Sequence, residues 1–172
     1  DRISSKKRRK KALALGLAAG LFLVWYLLAL PRPLFDDPVS TILEDAQGGL
    51  LGARIAADGQ WRFPMPDSVP YKYEKALLTF EDKRFYGHWG VDPLSLARAM
   101  RQNVAAGKVV SGGSTITMQV VRLYRKPPSR SMSQKLLEMV LATRVELQYS
   151  KQKILRFYAA HAPFGGNVVG LE

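Results

Sequence analysis

A glutamate at the end of an apolar segment is the first residue of this sequence that could carry out chemistry. Glu81 directly follows Phe80, where a helix is expected to end. A carboxylate is unfavourable at that position because the C-terminal end of the helix dipole is negative. Burial beside Phe80 and Phe85 would suit this group to act as a general base or acid. The alternative is a surface carboxylate that pairs with Lys83 or Arg84.

The second candidate site is the string Gly112-Gly113-Ser114-Thr115, which precedes a predicted helix. Backbone N–H groups at a helix N-terminus bind anionic oxygens, and the Ser and Thr hydroxyl groups add further donors. Arg122 lies two helical turns further along, on the side of Ser114 and Thr115. Ordinary N-capping of the helix would require the same residue types.

A second glutamate, Glu138, lies within the apolar segment 136–141. Lys135 precedes it by three residues and therefore shares its helical face. Glu138 is expected either to pair with Lys135 at the solvent edge of the helix or to lie in a cleft. More positive charge, which could also be solvated surface, is found nearby in sequence at Lys126, Arg130, Lys151 and Lys153.

The residue types do not indicate metal or thiol chemistry. The chain has no cysteine, which excludes disulfides, thiolate metal sites and cysteine nucleophiles. His88 and His161 are the only two histidines and lack metal-ligand spacing. We therefore assign no metal site from the sequence.

Helical periodicity and capping residues predict a mainly α arrangement after residue 70. One helix is expected from Tyr71 to Glu81, and another follows the N-cap Asp92-Pro93 and ends at Gly107. The remaining helices are expected to begin at Ser114 or Thr115, to cover 131–148, and to run from Ser150 to about residue 160.

Short strands are expected between residues 40 and 63. The segments 41–43, 50–56 and 61–63 are separated by turns at 47–49 and at Asp58-Gly59. Asp-Gly between apolar segments is typical of a β-hairpin. A small β-hairpin region is therefore predicted.

Residues 12–30 predict a transmembrane anchor. They contain no charge over 19 positions and would span about 28 Å as a helix, close to the ~30 Å hydrocarbon core. Six consecutive basic residues, 6–11, precede them and predict a cytoplasmic N-terminus, with the chain after Pro31 outside. A cleaved signal peptide usually has a shorter apolar stretch. A buried core helix would need a second apolar element to cover it.

The overall charge favours an anionic ligand. The chain has 26 Lys and Arg against 14 Asp and Glu, a formal net charge of +12, and basic surfaces attract phosphate groups. Nucleic acid is the first candidate partner, but no zinc-ligand spacing, RNA-binding aromatic signature or basic-region heptad is present. We therefore expect no nucleic-acid partner.

Four strings, in this order and spacing, resemble the motifs of one enzyme family: residues 81–92, 112–119, 134–138 and 150–158. They resemble the glycosyltransferase module of class A penicillin-binding proteins, the lysozyme-like peptidoglycan glycosyltransferases of glycosyltransferase family 51. Residues 58–64, Met118 and residues 162–166 are similar to one branch of that family. The resemblance implies a tail over 1–11, an anchor over 12–30, a linker with a β-hairpin over 31–70, and the N-terminal part of the glycosyltransferase domain over 71–172.

The resemblance also implies an activity and a set of site residues. A catalytic base, Glu81, would activate the acceptor sugar, and a second catalytic carboxylate, Glu138, would orient Lys135 and the leaving group. Substrate-binding roles are implied for Phe85, Gly113, Ser114, Thr115, Gln119, Arg122, Lys135 and Lys151.

The expected reaction is inverting polymerisation of lipid II into glycan strands, with release of undecaprenyl pyrophosphate. The expected place is the outer face of a bacterial inner membrane, and other proteins of cell-wall synthesis are potential partners. No cofactor is required, although a divalent cation could assist the pyrophosphate. The chain is expected to be a fragment of a longer protein that also carries a transpeptidase domain.

Three residues depart from the common family pattern. Met118 replaces a common Gln, Gln134 a common Arg and Ala160 a common Asn. These departures leave open a catalytically weak or silent assembly partner. A lysozyme-like cell-wall hydrolase, which would also use carboxylates, is the other alternative.

Overall fold

A computed structural model describes residues 2–171, which form two units that divide between Arg32 and Pro33. The first unit contains helix α1, Arg2–Leu28. Within the described residues, one helical stretch is long and apolar enough to cross a membrane, Lys7–Leu28. The expected anchor is therefore helical, and its helix ends two residues before the predicted limit at Leu30.

The predicted β-hairpin provides the first two strands of the second unit. Strands β1, Thr41–Glu44, and β2, Leu50–Arg54, pair antiparallel with Thr41 opposite Arg54. Asp45 holds the turn because its Oδ1 accepts hydrogen bonds from the backbone N–H groups of Gln47, at 2.9 Å, and Gly49, at 2.7 Å. The predicted turn at 47–49 is confirmed.

The hairpin that we predicted at Asp58-Gly59 is wrong in its partner strand. The turn itself forms, with the Gly59 N–H donating to the Ala56 carbonyl group. However, β3, Trp61–Arg62, pairs in parallel with β5, Val168–Val169, which also pairs antiparallel with β4, Pro163–Gly165. A turn signal reports only local geometry, and it cannot reveal a partner strand about a hundred residues further along the chain.

Five helices of the second unit follow the predicted order. They are α2, Tyr71–Phe80; α3, Pro93–Ala106; α4, Ile116–Arg125; α5, Met132–Gln148; and α6, Lys151–His161. The caps explain the boundaries: Asp92 accepts from two backbone N–H groups at the start of α3, and Gly107 ends that helix in the left-handed conformation. Thr115, Ser131 and Ser150 cap α4, α5 and α6 through their hydroxyl groups.

Helices α4, α5 and α6 pack around the apolar core. Its fully buried side chains include Ile116, Met118, Val120, Val121, Val145, Ile154 and Leu155. Complete burial of each such side chain contributes roughly 1.5–3 kcal/mol. The core therefore fixes α4 and α5, which carry the candidate site residues Gln119, Arg122, Lys135 and Glu138.

The segment between α2 and α3 is held against α5 by a close backbone approach. Gly90 has a φ of +81°, and a Cβ atom there would lie 2.6 Å from the carbonyl carbon of Ala142. Only glycine combines this conformation with this contact. The residues that follow Glu81 are thereby positioned by the body of the domain.

The linker that begins at Pro33 also docks on the domain. The Phe35 ring stacks on His161 with centroids 3.7 Å apart, and Asp37 Oδ1 lies 2.7 Å from Lys126 Nζ. Burial lowers the pKa of His161 to about 4; Arg62 and Lys126 also lower this pKa, whereas Asp37 opposes the shift. The imidazole is therefore neutral at neutral pH.

Candidate active site

Glu81 lies at the C-terminal end of α2 and is exposed, which corrects the expectation of burial. Phe80 is 86% exposed, whereas Phe85 is 1% exposed and faces the core. The alternative, a surface pair with Lys83 or Arg84, is also absent from the ion pairs of the described residues, and Arg84 instead binds Asp92 with Nε and Nη2 at 3.0 and 3.1 Å. Glu81 instead accepts a hydrogen bond from Gln119 Nε2 at 2.8 Å.

Gln119 also lies near Tyr158, one of two tyrosines whose pKa values are raised in part by the charge of Glu81. The Tyr158 hydroxyl group lies 3.5 Å from Gln119 Oε1, a distance that makes only a weak hydrogen bond. Burial, followed by the charge of Glu81, raises the pKa of Tyr158. Burial also raises the pKa of Tyr73 to about 12, with Tyr158 and Glu81 adding to the shift. Both phenols are therefore neutral hydrogen-bond donors at neutral pH.

A buried acid that the sequence reasoning missed lies next to Glu81. Asp82 is 6% exposed and places both carboxylate oxygens 3.0 Å from His88 Nε2. Its Oδ2 also accepts from the Ile116 N–H at 3.0 Å and so neutralises the positive end of α4. The sequence signal for Asp82 was its place just before a loop that contains His88 and two glycines. Its role as a partner of His88 and of the Ile116 N–H can be assigned only from the tertiary structure.

The glycine-rich string starts α4, and its members differ in accessibility. Thr115 is 1% exposed: its hydroxyl donates to the Gly90 carbonyl at 2.6 Å and accepts from the Met118 N–H at 3.1 Å. Gly113 is buried, and a Cβ atom there would lie 3.0 Å from Leu96. Ser114 is half-buried and lines a groove. The capping function is thus carried by Thr115, and Ser114 is the hydroxyl available to a ligand.

Glu138 is 4% exposed, and it pairs across two helices rather than along its own helix. Arg122 Nε and Nη2 on α4 donate to its two carboxylate oxygens at 2.9 and 3.0 Å. Of the two alternatives for Glu138, the pair with Lys135 does not form among the described residues, and the carboxylate instead lies in a cleft, because the buried face of α5 turns it toward α4. Bidentate pairing holds the charged guanidinium group of Arg122 in one position and one plane.

Several predicted site residues line one groove of about 430 Å³ between α3 and α5. Its apolar wall comes from α3, including Leu96 and Met100. Its polar wall contains Ser114, Arg122, Arg130, Gln134, Lys135 and Glu138. In the part of the chain that the structure describes, no ion pair includes Lys135 or Arg130. Their positive charge is therefore available to an anionic ligand.

A wider groove of about 820 Å³ lies against the linker and shares Arg122 and Arg130 with the first. Two of its other cations are already paired: Arg62 binds Asp58 at 3.0 Å, and Lys126 binds Asp37 at 2.7 Å. The smaller groove therefore offers more unbalanced positive charge, despite its lesser volume.

Three of the eight predicted substrate-binding residues line the smaller groove, and five do not: Phe85, Gly113, Thr115, Gln119 and Lys151. Lys151 Nζ donates to the His88 carbonyl at 2.7 Å and to Glu146 at 2.8 Å, and it lies 4.3 Å from the Phe85 ring centroid. Phe85 itself is buried. In this structure both side chains stabilise the loop that follows Glu81.

The groove does not fit a protein-bound divalent cation. Glu138 is the one carboxylate among its described lining residues, and Arg122 occupies both of its oxygens. Hard cations require several oxygen ligands. The described residues also contain no group of three or more His, Asp and Glu that could hold a metal ion.

The three departures from the common pattern occupy different surroundings. Met118 is fully buried and Ala160 is 4% exposed, so both belong to the core and neither lines the groove. Gln134 lines the groove, and its Oε1 accepts a hydrogen bond from Arg125 Nη1 at 2.6 Å. Of the three, Gln134 is the one that a ligand in the groove would meet.

Comparison with known proteins identifies the family. The family model described as Transglycosylase matches residues 49–172, and the chain therefore belongs to the transglycosylase family. Penicillin-binding protein 1C of Escherichia coli (strain K12) is 39% identical over 142 residues, which are 82% of this chain and 18% of that protein. This relative confirms the branch to which residues 58–64, Met118 and residues 162–166 are similar.

Two further relatives differ in length. Penicillin-binding protein 1A of Aquifex aeolicus (strain VF5) is 32% identical over 164 residues, 94% of this chain and 22% of that protein. A monofunctional glycosyltransferase of Staphylococcus aureus (strain JH9) is 42% identical over 110 residues, 64% of this chain and 40% of that protein. The chain thus spans about a fifth of the two penicillin-binding proteins and two fifths of the monofunctional enzyme.

Proposed function

We propose that this chain belongs to a peptidoglycan glycosyltransferase that joins lipid-linked disaccharides into glycan strands and releases undecaprenyl pyrophosphate. Family membership supports the reaction class. The observation that carries the proposal is the exposed Glu81 carboxylate, which is held by Gln119 one helical turn from Arg122 at the cationic groove. Gln119, which holds the base, and Arg122, which lines the groove, share one face of α4.

The first step of the proposed reaction is proton transfer to Glu81. Its free carboxylate oxygen takes the proton of the acceptor sugar's 4-hydroxyl group, while Gln119 holds the other oxygen. The acceptor oxygen then forms a bond to the anomeric carbon of the second lipid-linked saccharide. The bond from that carbon to the pyrophosphate oxygen breaks, with inversion, and the electron pair leaves with the pyrophosphate.

The groove stabilises the leaving group in this proposal. Negative charge grows on the pyrophosphate as its bond to carbon breaks, and preorganised donors and cations lower the energy of that state. Lys135 and Arg130 supply positive charge, and Ser114 supplies a hydroxyl donor. Glu138 acts by holding Arg122 in place, since its oxygens are already bonded.

The membrane would bring the substrate to the enzyme. We place α1 across the bacterial inner membrane, with the basic residues 6–11 in the cytoplasm and the domain outside. Confinement to the plane of the bilayer lets the lipid-linked head group arrive by lateral diffusion. Reporter fusions after residue 70 should be active only with a reporter that works outside the cytoplasm, and cytoplasmic activity would contradict this orientation.

The test of the proposed function is Glu81→Gln in the full-length protein. The amide keeps the shape of the side chain and removes the base, so polymerisation of lipid-linked disaccharide should fall by about 10²-fold or more. Glu44→Gln is the matched control, because Glu44 is an exposed glutamate on β1 and should retain activity.

Product analysis separates the proposed function from the alternatives. Growth of glycan chains from the lipid-linked precursor supports it, whereas shortening of finished glycan would indicate a hydrolase. Absence of both reactions from the wild-type protein would indicate a silent assembly partner. Polymerisation by the Glu81→Gln protein at the wild-type rate would remove Glu81 as the base.

A further inference from the structure

Two side-chain contacts join α4 to α5 beside the groove. Arg122 contacts Glu138, and Arg125 contacts Gln134 with its Nη1 atom 2.6 Å from Gln134 Oε1. The arginines are three residues apart on α4, and their partners are four residues apart on α5. Each pair of neighbours therefore shares a helical face, and the two contacts are successive cross-links between the same two helices.

The two contacts differ in charge. A carboxylate neutralises Arg122, whereas Arg125 meets only a neutral amide. None of the ion pairs formed by residues 2–171 includes Arg125. The Arg125 contact is partly buried, so its uncompensated charge is screened less than that of a solvated side chain.

The contact also orients Gln134. A guanidinium group can only donate hydrogen bonds, so the amide oxygen must be the end that faces Arg125. The amide NH₂ group, a donor, is thereby left for a ligand in the groove that Gln134 lines. The neighbouring cations Lys135 and Arg130, which form no ion pair within the described chain, line the same groove.

We propose that Arg125, which does not itself line the groove, is a positioning residue that orients Gln134 and supplies through it the positive charge that position 134 itself lacks. In the family resembled by this sequence, position 134 is commonly arginine. Here the cation comes from α4 and polarises the amide that faces the ligand. The ligand is the phosphate-bearing part of the lipid-linked saccharide, so this inference rests on the proposed function.

A purely structural role for Arg125 makes different predictions. Arg125 lies in the last turn of α4, where a cation stabilises the negative end of the helix. That role affects folding and depends on the position of the charge on α4. A binding role depends on charge beside the groove, whichever of the two helices supplies it.

The experiment uses four variants of the full-length protein: Arg125→Gln, Gln134→Arg, the double variant that combines them, and the control Arg98→Gln. Arg98 is exposed on α3 and lies on the side of that helix opposite to its groove-lining residues Leu96 and Met100. The control thus removes the same charge from outside the groove.

The measurements are kcat/KM with lipid-linked disaccharide, the dissociation constant for inorganic pyrophosphate, and the thermal midpoint. Arg125→Gln should lower kcat/KM and weaken pyrophosphate binding by about tenfold, because the ligand loses a nearby positive charge and the fixed orientation of the Gln134 amide. The double variant should recover to within about threefold of wild type, because the Gln134→Arg substitution returns a guanidinium group to the groove. Arg98→Gln should match wild type.

Two outcomes would overturn the inference while leaving the proposed function intact. One is an active Arg125→Gln protein with unchanged kcat/KM and pyrophosphate affinity. The other is a lowered thermal midpoint with no recovery of pyrophosphate binding in the double variant, which would indicate the helix-end role. If wild-type protein fails to polymerise, the proposed function fails, whereas the pyrophosphate measurement still tests Arg125. If Arg125→Gln alone does not fold, the double variant decides the result.

Discussion

The buried pair of Arg122 and Glu138 predicts an asymmetric response to loss of either partner. The Glu138 side chain is 5% exposed and that of Arg122 is 24% exposed. Arg122→Gln removes two charge-assisted hydrogen bonds from a largely buried carboxylate. Breaking a buried pair in this way costs about 3–5 kcal/mol. Arg122→Gln should therefore lower the free energy of unfolding by that amount.

The opposite substitution should cost less. Glu138→Gln keeps the side-chain shape and one acceptor for Arg122, whose guanidinium group also reaches solvent. We expect a loss of about 1–2 kcal/mol, the cost of one weakened bond to a charged donor. The two variants should thus differ by about 2 kcal/mol, with Arg122→Gln the less stable protein.

Urea denaturation of the full-length protein in detergent, followed by circular dichroism, measures these differences. Arg98→Gln again serves as the control and should change the unfolding free energy by less than about 0.5 kcal/mol. Equal losses for the two variants, or a larger loss for Glu138→Gln, would refute the reasoning that Glu138 is the more deeply buried charge.

Two further predictions concern the linker and the loop after Glu81. The pKa of His161 is about 4 in the folded protein and ~6.5 in the unfolded chain, so the unfolded chain binds the proton first. The contribution of neutral His161 to the free energy of unfolding should be complete above about pH 6.5 and should fall by up to about 3 kcal/mol toward pH 4. Urea titrations at several pH values should show a smaller pH dependence for His161→Gln than for wild type. An unchanged pH dependence would contradict this prediction. Gly90→Ala should lower the free energy of unfolding by about 2–4 kcal/mol because of the positive φ of Gly90 and its close approach to Ala142. The control Gly87→Ala should leave it unchanged, because a Cβ atom at Gly87 meets nothing within 4 Å. Equal thermal midpoints for the two variants would exclude the clash.

The helices could be predicted because their signals are local. Asp92-Pro93 starts α3 and Gly107 ends it, as the sequence indicates, since a cap depends on the few residues around it. Periodicity also identified α5 within one residue of its observed start. The pairing of β3 with β5 had no comparable signal, because parallel pairing of two short, distant strands depends on how the whole domain packs.

The candidate site was predictable in its residue types and less so in its contacts. The sequence indicated Glu81 and Glu138 but not their environments, with Glu81 exposed and Glu138 buried. The reason is that apolar neighbours in the sequence do not determine which face of the helix packs against the core. Arg122 was expected near the ligand, but its pairing with Glu138 required the packing of α4 against α5.

Glu81 and Asp82 are adjacent in the chain, so a single peptide unit separates the two residues that carry these carboxylates. Consecutive side chains near a helix end point in directions roughly 100° apart, so one acid reaches solvent while the other binds the first N–H group of α4. The main chain at Glu81 is consequently tied to the core helix, and the reach of its carboxylate is limited to its own side-chain torsions. Exchange of the two residue types would shorten the solvent-facing arm by one methylene and lengthen the anchoring arm by the same amount, so the order Glu-Asp sets the distance between the proposed base and its substrate.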